Sequence, residues 1–348
     1  MRRIVYFDRF THEAGRTRLE EAPGIEFTRL ERARPADELW PVLAEAHGYQ
    51  ITSARQELPL HLFANADFLA RCPNLLVVSA DGAGVDTVDF AACTEAGVMV
   101  VNQAGGNREG VAEHATAMML SLAKRIGETD RAMRRDRDWE RNQFIGNDVL
   151  GKTVGIIGLG HVGTRLAEIC RAAFSMPVVA TDPYLSEAEM TARGARKVSL
   201  ETLLAESDFV HICCPFTAET KNLIDAAALA AMRDGAYLIT TARGGIHDED
   251  ALAAALVAGK IRGAGLDVWE DEPPPLDHPL LALDTVIASP HTAGVTQESR
   301  RAISLICAEQ WQAIWRGERP PRLLNPEVWS HYAERYRDAF GAPVGSDG

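Results

Sequence analysis

Val154-Gly155-Ile156-Ile157-Gly158-Leu159-Gly160-His161-Val162-Gly163 decides how this chain is read. A short apolar run meets a turn with glycines at its first, third and sixth positions, and a helical pattern, Val162–Ala173, follows. In that strand-turn-helix context each glycine has its own task. Gly158 permits the tight turn, Gly160 lets a pyrophosphate approach the backbone, and Gly163 lets the helix lie close on the strand. The helix amino end adds unpaired N–H groups and a positive dipole. The next apolar run, Val178–Thr181, ends at Asp182-Pro183, about 20 residues past Gly163, where a carboxylate would meet the ribose hydroxyls of a dinucleotide. The same charge repels a 2′-phosphate, so the pattern predicts NAD as cofactor in preference to NADP.

Outward from this unit, apolar runs recur with helix-length spacing. Val154–Ile157, Val178–Thr181, Phe209–Cys213, Tyr237–Thr240, Gly265–Val268 and Val286–Ala288 read as six strands of a doubly wound, mostly parallel sheet. Ahead of them, Ile4–Phe7, Tyr49–Ile51, Leu75–Ser79 and Val98–Val101 alternate with helical stretches such as Ala36–Ala46, which makes a βα domain of the first hundred residues. Val111–Ile126 reads as one buried helix, and Arg131–Arg141, with Trp139, as an exposed charged connection. After the last strand a long amphipathic helix, Gln297–Arg316, has no new strand to serve and is expected to pack back on the first domain. The prediction is an α/β chain of two βα domains: residues 1–103 with 296–348 as the substrate domain, and 104–295 as the NAD-binding domain.

Composition narrows the function. The 348 residues hold 49 acidic and 36 basic side chains, a net charge of −13 that repels nucleic acid phosphates and anionic lipid. No apolar stretch reaches the roughly 18–20 residues of a membrane span, and the amino end lacks a signal-peptide core. Six cysteines without CxxC spacing are expected to be reduced and mostly buried. A cytoplasmic protein with no nucleic acid, membrane or metal partner is therefore expected. His211-Ile212-Cys213-Cys214 resembles a metal cluster only superficially, because neighbouring strand residues point to opposite faces. Glu113-His114 is expected to pack or cap, and His247–Asp250 to form a solvated, Asp-rich helix cap.

Three polar residues lie just past strand ends, where such sheets place ligands. Arg243 follows the fourth strand, Glu272 the fifth and His291 the sixth. Arg243 offers a planar, permanently charged fork for a carboxylate. His291 offers a proton near neutral pH, and a carboxylate at Glu272 would favour its protonated form and fix its ring tautomer.

With these residues in place, the sequence resembles the D-isomer-specific 2-hydroxyacid dehydrogenases, a family that includes D-3-phosphoglycerate dehydrogenases and glyoxylate/hydroxypyruvate reductases. The resemblance rests on Gly82–Asp89, Val101–His114, Leu150–Gly163, Thr241–Leu252, Gly265–Pro273 and Ser289–Gly294, in the family's order. It implies a Rossmann domain inserted into a flavodoxin-like substrate domain made of both chain ends, and a homodimer built mainly through the nucleotide domains. The activity implied is interconversion of a small 2-keto acid and its D-2-hydroxy acid, with substrate bound between the domains. Arg243 then binds the carboxylate, His291 is the acid/base and Glu272 tunes it. The resemblance also implies that His161, Val162, Asp182, Pro215, Thr241, Ala242, Asp267 and His291 line the NAD site. Gly82, Ala83 and Gly84 would offer backbone N–H groups to the substrate. Ser79-Ala80-Asp81 lacks the basic residue that phosphoglycerate-specific relatives tend to carry there, and no appended regulatory domain is evident. Two alternatives are an NAD(H)-sensing, corepressor-like binding protein, marked by NADH-dependent dimerisation without turnover, and a dehydrogenase of a larger sugar acid.

Overall fold

The computed structural model describes residues 1–135 and 138–345. Contacts divide the chain into two compact units, Met1–Asn107 with Thr296–Gly348, and Arg108–Val295. The first boundary falls after Asn107 rather than after residue 103. The intervening turn is tied to the first unit: Gly106 N–H donates to Gln103 O (3.1 Å), and Arg322 Nε donates to Ala104 O (2.9 Å).

The first unit holds a five-stranded parallel sheet: β1 (Arg2–Phe7), β2 (Ile25–Leu30), β3 (Gly48–Ile51), β4 (Val77–Ala80) and β5 (Met99–Val101), in the order β2-β1-β3-β4-β5. This is the flavodoxin-like order. The edge strand β2 was absent from the sequence reading because IEFTRL mixes polar and apolar residues without a clean period of two; it is only half-buried. The helix Gln297–Trp315 does return to this unit. Its Trp311, fully buried, presses on the space a Cβ at Gly48 would occupy (2.5 Å), and its indole Nε1 donates to Gln50 Oε1 (2.8 Å).

The second unit holds seven parallel strands: β6 (Val154–Ile157), β7 (Val178–Thr181), β8 (Arg196–Lys197), β9 (Phe209–Ile212), β10 (Ala236–Thr240), β11 (Ile261–Leu266) and β12 (Val286–Ala288). Their order, β12-β11-β10-β9-β6-β7-β8, is a Rossmann arrangement extended by one strand, with the topological switch between β6 and β9.

Three local expectations are corrected here. The fifth predicted strand begins earlier, at Ile261, because Gly263 and Gly265 are strand residues that make room for a helix: a Cβ on Gly265 would lie 3.0 Å from Met118 Cβ. The buried helix runs Arg108–Ala123 and stops before Ile126. There the Ala123 carbonyl accepts Asn147 N–H (2.7 Å) and Arg125 adopts φ 56°. Finally, the start of the expected exposed connection, Arg131–Arg135, is the end of a helix, Ile126–Arg135. Arg131 Nε donates to Asp284 Oδ1 (2.8 Å) and Arg135 to Oδ2 (3.1 Å), while Trp139 packs edge-on to Phe144. Asp136 and Arg137, within the same expected segment, lie outside the described residues.

Candidate active site and nucleotide site

All parallel strands of the second sheet end on one edge, and the order β12, β11, β10, β9, β6, β7 arrays the expected residues along it. His291 follows β12, Asp267 and Glu272 follow β11, and Thr241, Ala242 and Arg243 follow β10. Pro215 follows β9, the glycine turn follows β6, and Asp182 follows β7. The Gly82-Ala83-Gly84 turn follows β4 of the other unit. Its carbonyls are occupied, Gly82 O by Gln103 N–H (2.8 Å) and Ala83 O by the Asn102 amide (2.7 Å). Just before it, Asp81 accepts from Ser53 N–H (2.8 Å) and Ser53 Oγ (3.0 Å); burial pushes its carboxyl above the ordinary range.

The glycine turn has the form that a dinucleotide requires. Gly158 lies at φ 91°, and a Cβ there would meet Cys214 N at 2.7 Å. A Cβ on Gly163 would sit 2.2 Å from Gly158 O, so only hydrogen allows the helix His161–Phe174 to approach the strand this closely. Gly160, by contrast, faces nothing within 4 Å. As N-cap it brings no side chain to the helix N–H groups, which remain for an anion. A cavity of about 320 Å³ adjoins the turn, lined by Gly160, His161, Thr164, Arg165 and Glu168, with Arg108 and Arg193. Arg193 donates to Leu159 O (2.7 Å), tying its side chain to the turn. Asp182 Oδ2 accepts Leu159 N–H (3.0 Å) and Oδ1 accepts Tyr184 N–H (3.0 Å), which fixes its carboxylate at the end of β7. These residues fit a pyrophosphate and its adjoining ribose.

At the other end of the edge, the His291 imidazole Nδ1 lies 2.9 Å from Glu272 Oε2 and 3.1 Å from Oε1. The carboxylate is an acceptor, so Nδ1 carries the hydrogen and Nε2 is the nitrogen left for a reacting group. His291 sits at φ 54°, a left-handed conformation for a non-glycine residue. Asp267, fully buried, holds it there. Its carbonyl accepts His291 N–H (2.7 Å), its Oδ1 accepts Thr292 N–H (2.8 Å) and the Ser289 hydroxyl (2.6 Å), and its Oδ2 accepts Ala293 N–H (2.9 Å). His114 Nε2 reaches Ser289 Oγ at 3.1 Å, so the packing role expected of it is a contact with the turn that carries His291. Arg243 NH1 donates to Ala242 O (2.6 Å), and Gly244 beside it abuts the backbone of Trp269.

Sequence reasoning placed Trp269 and Ser289 only within the stretches Gly265–Pro273 and Ser289–Gly294 and gave neither a role in this supporting layer. The cap at His247–Asp250 also needs correction. Asp248 does cap, accepting Ala251 N–H (2.8 Å), but His247 is fully buried and Glu249 is bound to His278 Nε2 (2.9 Å). His211 is likewise a buried core residue of β9. The six cysteines are free, with Cys213 and Cys214 partly exposed. Among the described residues no group of three or more His, Cys, Asp or Glu is placed to hold a metal ion, and no helix is long and apolar enough to cross a membrane.

The model of the D-isomer specific 2-hydroxyacid dehydrogenase, NAD binding domain, matches residues 116–293. A D-3-phosphoglycerate dehydrogenase of Archaeoglobus fulgidus is 43% identical over 70% of this chain and 46% of its own length. The chain spans about half the length of most of the curated relatives it matches. A glyoxylate reductase of Korarchaeum cryptofilum is 35% identical over 89% of each chain. Among solved structures, the TT0316 protein of Thermus thermophilus is 31% identical with a TM-score of 0.79, covering 92% of this chain and 99% of its own. A D-lactate dehydrogenase of Aquifex aeolicus, complexed with NAD and lactic acid, is 26% identical with a TM-score of 0.77, covering 92% and 99%.

Proposed function

This chain belongs to the D-isomer specific 2-hydroxyacid dehydrogenase family, and from that premise we propose that it is an NAD(H)-dependent oxidoreductase interconverting a small 2-keto acid and its D-2-hydroxy acid. The observation that carries this reading is the 2.9 Å Glu272–His291 pair, whose members follow the strands one and two places from Arg243's strand on the edge that also carries the glycine turn. Gly158, Gly160, His161, Val162 and Gly163 would hold the pyrophosphate and Asp182 the ribose, with Pro215, Thr241 and Ala242 between them and the catalytic end. When bound, the dinucleotide supplies or accepts the hydride at the substrate's C2.

The chain's own residues do the rest. Arg243 pairs its guanidinium with the substrate carboxylate, which fixes the orientation of the carbonyl. In reduction, protonated His291 gives its Nε2 proton to the carbonyl oxygen, and Glu272, hydrogen-bonded at Nδ1, stabilises the imidazolium until that proton leaves. In oxidation, neutral His291 takes the hydroxyl proton through the same nitrogen. Asp267 serves by fixing the His291 turn.

The substrate class follows from what precedes Gly82. Ser79-Ala80-Asp81 contains no base for a phosphate, and a carboxyl stands there instead, which favours a small unphosphorylated acid such as glyoxylate over 3-phosphoglycerate. The protein is further assigned to the cytoplasm, as a homodimer built through its nucleotide units; free cysteines and the family resemblance support these assignments.

The test is oxidation of NADH, followed at 340 nm, with glyoxylate, hydroxypyruvate, pyruvate and phenylpyruvate, repeated with His291→Ala. Turnover that the variant loses while still binding NADH is the expected result. No turnover across the panel by a chain that binds NADH tightly would reject the reading. Sedimentation at micromolar concentration checks the dimer.

A further inference from the structure

We propose that Trp269 is a positioning residue that holds the Arg243, Glu272 and His291 turns in register. The proposal rests on the catalytic reading above, but it concerns a residue that touches neither substrate nor cofactor in that reading.

Trp269 is 3% exposed and makes a different contact with each of the three turns. Its backbone N–H donates to Glu272 Oε1 (3.1 Å), the same oxygen that lies 3.1 Å from His291 Nδ1. Its indole Nε1–H donates to the carbonyl of Ser289 (3.1 Å), two residues before His291. Its own carbonyl occupies the space beside Gly244, where a Cβ would lie 1.9 Å from Trp269 O and 2.5 Å from Glu270 N. The turn bearing Arg243 thus rests directly on the backbone that leads to Glu272. One residue therefore sets the carboxylate of the pair, the chain direction into the histidine, and the distance to the arginine turn.

A second layer braces it. Glu249, at the start of the helix Glu249–Val257, accepts Glu270 N–H with Oε1 (2.8 Å) and contacts His278 Nε2 with Oε2 (2.9 Å). The His278 ring stands edge-on to the indole, with centroids 5.5 Å apart and planes at 77°. The indole is held on its far side, so its N–H direction is fixed. A residue serving only to fill the core would need neither the donor at Nε1 nor this brace. Phenylalanine would fill nearly the same space, and that separates the two roles.

The experiment is Trp269→Phe in the full chain, which keeps the aromatic bulk and deletes only the indole donor. Loss of one such bond predicts about a tenfold fall in kcat for keto-acid reduction, with NADH affinity and thermal midpoint close to those of the unaltered protein. A readout independent of turnover is the ¹⁵N spectrum of His291, assigned by its disappearance in His291→Ala. The wild type should show the hydrogen fixed on Nδ1, and Trp269→Phe a shift toward averaged tautomers. Unchanged kcat and an unchanged His291 spectrum would overturn the proposal. So would a fall in activity matched by lost thermal stability with the spectrum unmoved, since that is the mark of a structural core residue. Should Trp269→Phe fail to fold, Glu249→Gln gives the same readout, and a wild-type His291 spectrum there rejects the brace and the proposal with it. If the unaltered chain reduces none of the acids, the catalytic reading falls, while the His291 spectrum still decides whether Trp269 positions the pair.

Discussion

Replacing Asp267 by asparagine changes one atom in a residue with no exposed surface, and the cost can be worked from the three bonds its carboxylate accepts. Oδ1 accepts Thr292 N–H and the Ser289 hydroxyl, and Oδ2 accepts Ala293 N–H. If the amide nitrogen takes the Oδ2 position, it faces Ala293 N–H, donor to donor. If it takes the Oδ1 position, the Ser289 hydroxyl can turn and accept, but Thr292 N–H is orphaned. Either rotamer therefore leaves one backbone donor unpaired and removes the charge from the remaining bonds. A hydrogen bond to a charged group is worth about 1.5–3 kcal/mol. The left-handed conformation of His291 adds roughly 1–2 kcal/mol that those bonds now counter. The second unit should lose about 2–3 kcal/mol, a 30- to 150-fold rise in its unfolding constant, and kcat/KM should fall at least tenfold as the histidine turn relaxes. Urea unfolding, followed on the transition that NADH shifts, measures the first quantity and NADH oxidation the second. Asp267→Asn within 0.5 kcal/mol of the unaltered chain and equally active would refute the assignment of Asp267 as the fixed acceptor of that turn.

Gly163→Ala places a Cβ 2.2 Å from Gly158 O, a backbone atom that cannot yield, so the helix must retreat by about 1 Å and NADH affinity should fall at least tenfold by fluorescence titration. Asp182→Arg removes the charge that repels a 2′-phosphate, and the NADPH/NADH ratio of kcat/KM should rise by tenfold or more; an unmoved ratio would remove Asp182 from the ribose site. His211 and His247 are buried, and their ring nitrogens find no partner among the described residues. Desolvation lowers them from 6.5 to about 3 and about 4. The unfolded chain thus binds protons first: neither group costs stability above pH 6.5, and each costs about 2 kcal/mol by pH 5. His247→Leu should shrink the stability lost between pH 7 and pH 5 by about that amount in urea titrations, and an unchanged pH slope would show that the buried ring is not the source.

What the sequence made legible was whatever depends on a local period or a fixed spacing. The central strands of both sheets are short, mostly apolar runs buried on both faces, and the glycine turn is specified by three positions whose steric reasons the structure bears out at Gly158 and Gly163. Strand edges were less legible. β2 is half-exposed, β8 is two exposed residues, and β11 contains glycines chosen by the helix packed on it instead of by strand propensity. The stop at Ala123 was invisible because it depends on Asn147, a residue distant in sequence that takes the helix's last carbonyl. His247 is a similar case: next to three acidic residues it reads as surface, and tertiary burial overrides that setting.

The same distinction separates the residues proposed to react, which the sequence suggests, from the residues that hold them. Arg243, Glu272 and His291 announce themselves by side-chain chemistry at strand ends, but their placement comes from backbone groups, which every residue possesses. Trp269 N–H, Ser289 O, Thr292 N–H and Ala293 N–H do much of the holding, and the side-chain partners are those of Asp267, Glu272, Trp269 and the Ser289 hydroxyl. A parallel sheet makes this arrangement economical. Adjacent strands end side by side, so the turn after β11 can reach the turns after both β10 and β12 with its own main chain. Variation at the holders should therefore alter rate while the chemistry stays the same, and variation at the three reactive side chains should remove the chemistry while NADH binding persists.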